Sequence, residues 1–238
     1  MKKLMIGLMV LGLAGAVSAA LITTDDFSSS GALTNNGWEA YNGADGSITS
    51  DGSVASVGSG AEDIRLVFAD QGVGSTYASF ILNVSSLPAS GSEYSFGFID
   101  GATMDARWGI VSEDSGKGFG IGSWVGTTLN NTFSGLSLNT DYMITMFYDG
   151  SSDHRLWVDS DGTDFASADL TETNDASGGI DGIFIRQAGA LDNGAAAWTM
   201  DDVVVATTFA EVIPEPTTLA LLGVAVGLLT VVRRRRIA

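Results

Sequence analysis

Residues 76–84, TYASFILNV, decide the predicted fold because their hydrophobicity alternates with a period of two. Successive side chains of a β-strand point to opposite faces. One face of this strand is apolar and consists of Ala78, Phe80, Leu82 and Val84. The other face is mixed and consists of Tyr77, Ser79, Ile81 and Asn83. We therefore predict a strand whose first face lies in the core.

A second stretch, DYMITMFYDG at 141–150, is apolar on both predicted faces. One face has Tyr142, Ile144, Met146 and Tyr148, and the other has Met143, Thr145 and Phe147. A strand of this kind is expected at the centre of a two-sheet sandwich, with both of its faces covered.

Short runs of aromatic and β-branched residues continue outward from these strands, separated by clusters of Gly, Ser, Asn and Asp. This spacing is typical of a sandwich or barrel. With 76–84 and 142–148 the predicted strands are 21–27, 37–41, 62–69, 93–99, 107–112, 118–124, 155–159, 182–187 and 198–207. The chain has 31 glycines and no cysteine, which excludes disulfides and thiol catalysis.

The N-terminus reads as a secretory signal peptide over residues 1–20. Lys2 and Lys3 precede an apolar run, and small residues follow it at the predicted cleavage site, Ala19 or Ala20. The strand-rich region, 21–211, is then a single exported domain.

The C-terminal segment, residues 212–238, has the features of a targeting signal and a membrane anchor. Pro214, Glu215 and Pro216 interrupt regular structure, an uncharged apolar run follows at 217–232, and Arg233, Arg234, Arg235 and Arg236 close it. As a helix this run would rise about 24 Å, against a hydrocarbon core of roughly 30 Å. We predict a short transmembrane helix with its arginines held on the cytoplasmic side.

The order of PEP triplet, apolar helix and arginine cluster resembles the PEP-CTERM sorting signal of Gram-negative bacteria. The resemblance implies that a membrane-embedded transpeptidase, an exosortase, cuts near Pro214–Pro216. It also implies passage from a transient inner-membrane anchor to the cell surface or extracellular matrix, and a link to biofilm and exopolysaccharide. The alternative is an ordinary, permanent membrane anchor.

Charge limits the partners of the exported domain. Between the two terminal segments, five basic residues stand against 27 acidic residues, a formal net charge of −22. Nucleic acid and anionic lipid are therefore poor partners, whereas calcium and cationic surfaces are better ones.

Four segments of the exported domain resemble bacterial concanavalin A-like (laminin G-like) jelly rolls. They are TYASFILNVSS at 76–86, LNTDYMITMFYDG at 138–150 with HRLWVD at 154–159, GIDGIFIRQ at 179–187, and WTMDDVVVATTFAEV at 198–212. The resemblance implies a two-sheet antiparallel sandwich and, by class, a carbohydrate ligand such as extracellular polysaccharide.

The motifs argue against catalysis. No G-x-S-x-G accompanies the single histidine, His154, which we predict to be a surface turn residue. The E-x-D-x-E triplet that glycosidases of this fold class use is also absent. We therefore expect a protein that is not an enzyme, with a hydrolase as the less favoured alternative.

Two kinds of binding site remain candidates. Asp159, Asp161 and Asp164 could converge on calcium if Gly162 makes a sharp turn, although a solvated hairpin would show the same residues. The pairs Asp25–Asp26 and Asp201–Asp202 are weaker calcium candidates. Trp124 and Trp157 could stack on sugar rings, although aromatic residues of a small sandwich more often lie in its core. The function hypotheses are a non-catalytic surface or matrix protein and a lectin-like module.

Overall fold

The computed structural model describes residues 20–43, 46–89, 91–113, 118–159, 167–173, 178–187 and 196–213. Within these ranges the chain forms sixteen β-strands, a 3-10 turn at Leu33–Asn35 and one short helix, α1, at Phe209–Val212. The paired strands are antiparallel and lie in two sheets. This architecture confirms the predicted all-β jelly-roll sandwich.

The nine-stranded sheet is organised around β7 and β16, the two long strands at its centre. Its order is β14 (Leu170–Glu172), β13 (His154–Val158), β12 (Asp141–Tyr148), β7 (Thr76–Ser86), β16 (Ala197–Ala206), β5 (Ala55–Val57), β4 (Thr49–Ser50) and β2 (Gly31–Ala32). Strand β1 (Leu21–Asp25) also pairs with β16, from Val203 to Ala206.

The seven-stranded sheet forms the opposite layer. Its order is β11 (Thr128–Ser137), β10 (Gly118–Val125), β9 (Thr103–Ser112), β8 (Ser92–Asp100), β15 (Gly182–Arg186), β6 (Asp63–Val67) and β3 (Trp38–Asn42).

The main core lies between the two sheets. The predicted inward face of β7 is confirmed, since Ala78, Phe80, Leu82 and Val84 all belong to the core cluster. Phe80 of one sheet meets Phe96 of the other edge to face, with ring centroids 5.1 Å apart. This aromatic contact joins the two layers.

The second face of β12 is covered as well, which confirms the expectation for a central strand. Thr145 and Phe147 are buried on the outer side of the nine-stranded sheet. There Phe147 joins a smaller cluster with Tyr77, Trp157 and Val212, and Phe209 packs against it. Helix α1 supplies Phe209 and Val212, so the C-terminal segment is what covers this face.

All eleven predicted strands are present within a few residues, and five others were not predicted. Four of the five, β2, β4, β5 and β14, have only two or three residues, too few for a visible alternation. The fifth, β11, reads TLNNTFSGLS and is largely exposed along an edge, so neither face carries an apolar signal.

The prediction for His154 was wrong. This residue begins β13 and is fully buried, with its ring edge to face against Trp108 at a centroid distance of 5.3 Å. Burial lowers the pKa of His154 to about 4, although nearby Glu172 acts in the opposite direction. Neither ring nitrogen has a hydrogen-bond partner among the described residues.

Glu172 lies opposite His154 on β14 and links the two sheets at their open edge. Its carboxylate accepts hydrogen bonds from the Ser123 hydroxyl at 2.5 Å, the Asn131 amide at 2.6 Å and the Asn130 amide at 2.5 Å. All three donors belong to β10 and β11 of the other sheet. A buried carboxylate satisfied in this way acts as a polar clasp.

Candidate functional site

The outer face of the seven-stranded sheet carries a cluster of polar and aromatic groups. On β15, Ile183 and Ile185 point into the core, so Arg186 points outward, opposite Asp63 on β6. We call the set formed by Tyr41, Asp63, Tyr94, Arg107 and Arg186 the Arg–Tyr face.

Tyr94 lies between two arginines. The guanidinium carbon of Arg186 is 4.3 Å from the centre of the Tyr94 ring, and that of Arg107 is 5.7 Å from it. Cation–π contacts at such distances orient both partners and are each worth about 0.5 to 2 kcal/mol. The ring and the guanidinium groups therefore form one organised surface.

The backbone of β8 sets the position of Tyr94. Its register shifts between Tyr94 and Phe96, and the strand approaches Gly109 of β9 closely. A Cβ atom at Gly109 would lie only 2.0 Å from the carbonyl oxygen of Glu93. Only glycine allows this approach.

Asp63 and Tyr41 each hold a buried polar atom without a hydrogen-bond partner among the described residues, namely Asp63 Oδ1 and the Tyr41 hydroxyl. Asp63 is only 3% exposed. Its other oxygen accepts a hydrogen bond from the Asn42 amide at 3.1 Å and lies 3.8 Å from Arg186 Nε. Burial raises the pKa of both side chains. Both atoms are buried away from solvent, so they belong to the support of the Arg–Tyr face rather than to its exposed surface.

The two arginines have different tasks. The guanidinium of Arg107 donates to the carbonyl of Met104 at 3.1 and 2.9 Å and to the carbonyl of Gly126, so it braces the turn between β10 and β11. The side chain of Arg186 is 24% exposed, and its terminal nitrogens have no hydrogen-bond partner within the described ranges. Arg186 is therefore the arginine available to a ligand.

The two residues predicted to stack on sugar rings, Trp124 and Trp157, both have covered rings. Trp124 is 4% exposed and packs near Tyr94, at a centroid distance of 6.1 Å. Trp157 is 2% exposed and belongs to the nine-stranded sheet. The ring of Phe209 covers it, with the two ring centroids 4.8 Å apart. Tyr94, by contrast, is only half-buried.

The sequence analysis did not predict Tyr94 or Arg186 as site residues, although the scarcity of basic residues was a signal that pointed to them. The exported domain has only five basic residues. Three of them, Arg65, Arg107 and Arg186, lie on β6, β9 and β15 of the seven-stranded sheet. Arg65 is engaged by Glu39 at 3.3 Å and by Asp181 at 3.4 Å.

The calcium candidate lies mostly beyond the described residues, which include Asp159 but not Asp161 or Asp164. Asp159 has a positive φ of 53° and accepts a hydrogen bond from the backbone N–H of Met143 at 2.8 Å. Within the described ranges, no group of three or more His, Cys, Asp or Glu residues is placed to hold a metal ion. Calcium binding at Asp159, Asp161 and Asp164 stays a prediction.

The C-terminal exit of the domain is the second notable site. Val212 and Ile213 are 1% and 9% exposed, and the hydroxyl of buried Ser79 donates to the carbonyl of Val212. A cavity of about 350 Å³ adjoins this point and is lined by Ser79, Ile81, Met143, Val204 and Val212, with Asp26, Asp202 and Glu211 among its polar residues.

The sorting residues predicted from sequence, Pro214–Pro216 and Arg233–Arg236, lie outside the described residues, as do the apolar run 217–232 and Ala19. Ala20 is described, and its backbone N–H donates to the Thr207 hydroxyl at 3.1 Å. Among the residues with described structure, no helix is both long and apolar enough to cross a membrane.

Solved structures with a similar fold are distant in sequence. A β-1,3-glucanase from Mycobacterium marinum is 13% identical, with a TM-score of 0.50 over 79% of this chain and 99% of that one. An uncharacterized protein from Mycobacterium paratuberculosis is 14% identical, with a TM-score of 0.51 over 77% and 99%.

A sialidase from Trypanosoma rangeli in complex with the inhibitor DANA is 15% identical, with a TM-score of 0.45 over 67% of this chain. This chain covers only 26% of the sialidase. The likeness to the mycobacterial proteins shows the sandwich fold.

No curated protein matches the sequence. Residues 212–236 match the PEP-CTERM protein-sorting motif, and the match begins at the buried residue Val212. The chain is therefore an exported protein, a β-sandwich joined directly to a PEP-CTERM signal of the kind that exosortases process.

Proposed function

We propose that this protein binds glycans without cleaving them at the cell surface or in the extracellular matrix, where it contributes to exopolysaccharide or biofilm. One observation carries the proposal. Arg186 is held over the ring of Tyr94 at 4.3 Å, beside the buried carboxylate of Asp63, and its side chain stays partly exposed.

The chemistry of this set suits a sugar. The ring of Tyr94 can pack against the C–H face of a pyranose, while the terminal nitrogens of Arg186 donate to ring hydroxyl groups. The buried carboxylate of Asp63 lies 3.8 Å from Arg186 Nε and supports the position of this arginine beneath the surface. Small-ligand sites typically combine an apolar surface with a few placed polar groups of this kind.

The solved structures with a similar fold support only the proposed class of ligand, a glycan. The glucanase acts on a glycan, and we extend to this chain the idea that the sandwich can carry a glycan site. We do not extend hydrolysis, because the E-x-D-x-E triplet is absent from the sequence. Calcium at Asp159, Asp161 and Asp164 would be an added ligand rather than the carrier of this proposal.

Replacing Arg186 with glutamine is expected to weaken glycan binding about tenfold, because the change removes charge-assisted donors and the contact with Tyr94. The measurement is a glycan array with the purified protein, with and without calcium, followed by titration of each bound glycan. Tyr94→Ala is expected to have an effect of similar size.

Arg155→Gln is the matched control. Arg155 also pairs with a carboxylate, Asp153 at 2.7 Å, and also lies over an aromatic ring, that of Phe147 at 5.9 Å, but it belongs to the nine-stranded sheet. Its loss should leave glycan affinity unchanged. If the parent protein bound no glycan with or without calcium, the proposed function would be wrong. If it bound with equal affinity after Arg186→Gln, the site would be wrong.

A further inference from the structure

The junction between the domain and its sorting signal is part of the fold. The ring of Phe209 lies 4.8 Å from that of Trp157 and 5.9 Å from that of Tyr77, measured between centroids. Val212 and Ile213 follow as buried residues, and the sorting motif begins at Val212. We call residues 209–213 the latch.

A hydrogen bond fixes the latch at its far end. Ser79 lies near the middle of β7 with its hydroxyl buried, and it donates to the carbonyl of Val212. The backbone of the first motif residue is therefore held against a central strand of the nine-stranded sheet. The PEP triplet follows immediately after Ile213 in the sequence.

This placement conflicts with the needs of a processing enzyme. Enzymes that cut or transfer a peptide commonly bind it in an extended form, through backbone hydrogen bonds and side-chain pockets. A segment that is packed against its own domain cannot bind an enzyme in this way. Here the residues just upstream of the PEP triplet are packed against the outer face of the nine-stranded sheet. The enzyme can bind them only when the latch has left it.

We propose that the latch must open before exosortase processing, so that its opening equilibrium sets the rate at which the folded protein is processed. The inference rests on processing of the PEP-CTERM signal and is independent of glycan binding. Local opening is sufficient, because the latch packs in a cluster that is separate from the main core. Cleavage of a transiently opened segment follows its open population when opening and closing are fast.

The test is a pulse-chase measurement of the full-length protein in cells that contain an exosortase. Phe209→Ala removes the largest side chain of the latch and should raise the processing rate roughly tenfold by raising the open population. Phe133→Ala is the control, because Phe133 is also a partly buried phenylalanine but packs against the main core from β11. Its processing rate should stay within about twofold of the parent's.

A disulfide that holds the latch closed tests whether the processing rate can also be lowered. Ser79 and Val212 line the same cavity and are already joined by a hydrogen bond, and the chain has no cysteine of its own. When thiol labelling shows that its disulfide has formed, the double variant Ser79→Cys with Val212→Cys should be processed at least about tenfold more slowly than its own reduced form, and reductant should remove that difference. The reduced double variant is its own control.

Two results would overturn the proposal. One is processing of Phe209→Ala at the parent's rate, and this result decides the question alone if the engineered disulfide does not form. The other is processing of the oxidised double variant at the rate of its reduced form, with the disulfide shown by thiol labelling. Loss of glycan binding in any variant would leave the inference unchanged, so its failure and that of the proposed function are separate.

Discussion

Replacing Glu172 with alanine is expected to lower the free energy of unfolding by about 3 kcal/mol, because it leaves the donors of the polar clasp without an acceptor. The hydroxyl of Ser123 is fully buried and loses its partner at 2.5 Å. Asn130 and Asn131 are exposed, so water can replace some of what they lose. The measurement is urea denaturation of the purified protein at neutral pH.

Two variants make the Glu172 result specific. Glu172→Gln keeps the volume and one acceptor oxygen, so it should cost less than Glu172→Ala. Glu39→Ala removes an exposed glutamate that contacts Arg65 at 3.3 Å, and it should cost at most about 0.5 kcal/mol, as is usual for surface ion pairs. A loss below about 1 kcal/mol for Glu172→Ala would show that the clasp does not hold the sheets together.

Acid is expected to destabilise the protein through His154. Its pKa is about 4 in the folded protein, against an ordinary value of 6.5, because burial disfavours the charged ring. Well above pH 6.5 the ring is neutral in both states, so His154 does not contribute to the pH dependence of stability there. As the pH falls from 6.5 to 4 the unfolded chain binds a proton that the folded protein does not, which lowers the free energy of unfolding by roughly 3 kcal/mol.

His154→Phe isolates this effect. Phenylalanine can keep the ring contact with Trp108, and the described residues offer no hydrogen bond to either nitrogen that the change would break. Other acidic groups titrate equally in both proteins, so the difference between their unfolding curves from pH 7 to pH 4 reports His154 alone. Parallel curves would mean that the histidine is accessible to protons in the folded state.

Local sequence patterns predicted the strands because alternation is a local property. In β7, every second residue enters the core, and no distant information is needed to see it. The burial of Trp157 could not be predicted in the same way, because it depends on Phe209, which reaches it only after the chain has crossed between sheets. A tryptophan beside a predicted strand looks the same whether helix or solvent covers it.

The candidate site was hidden for a related reason. Tyr94 and Arg186 are far apart in the sequence and meet because β8 and β15 are neighbours in one sheet. The polar clasp likewise depends on β14, whose three residues show no alternation. His154 was predicted to lie in a surface turn because an Asp-rich turn precedes it. In the structure it begins a strand, and its side chain is buried.

The latch also determines the side of the domain from which the chain continues toward the sorting motif. The two sheets pack against each other, so their outer surfaces look in opposite directions, and the polypeptide leaves from the surface of the nine-stranded sheet. Arg186 and Tyr94 lie on the outer surface of the seven-stranded sheet, so the Arg–Tyr face and the exit of the chain at Ile213 are on opposite sides of the sandwich.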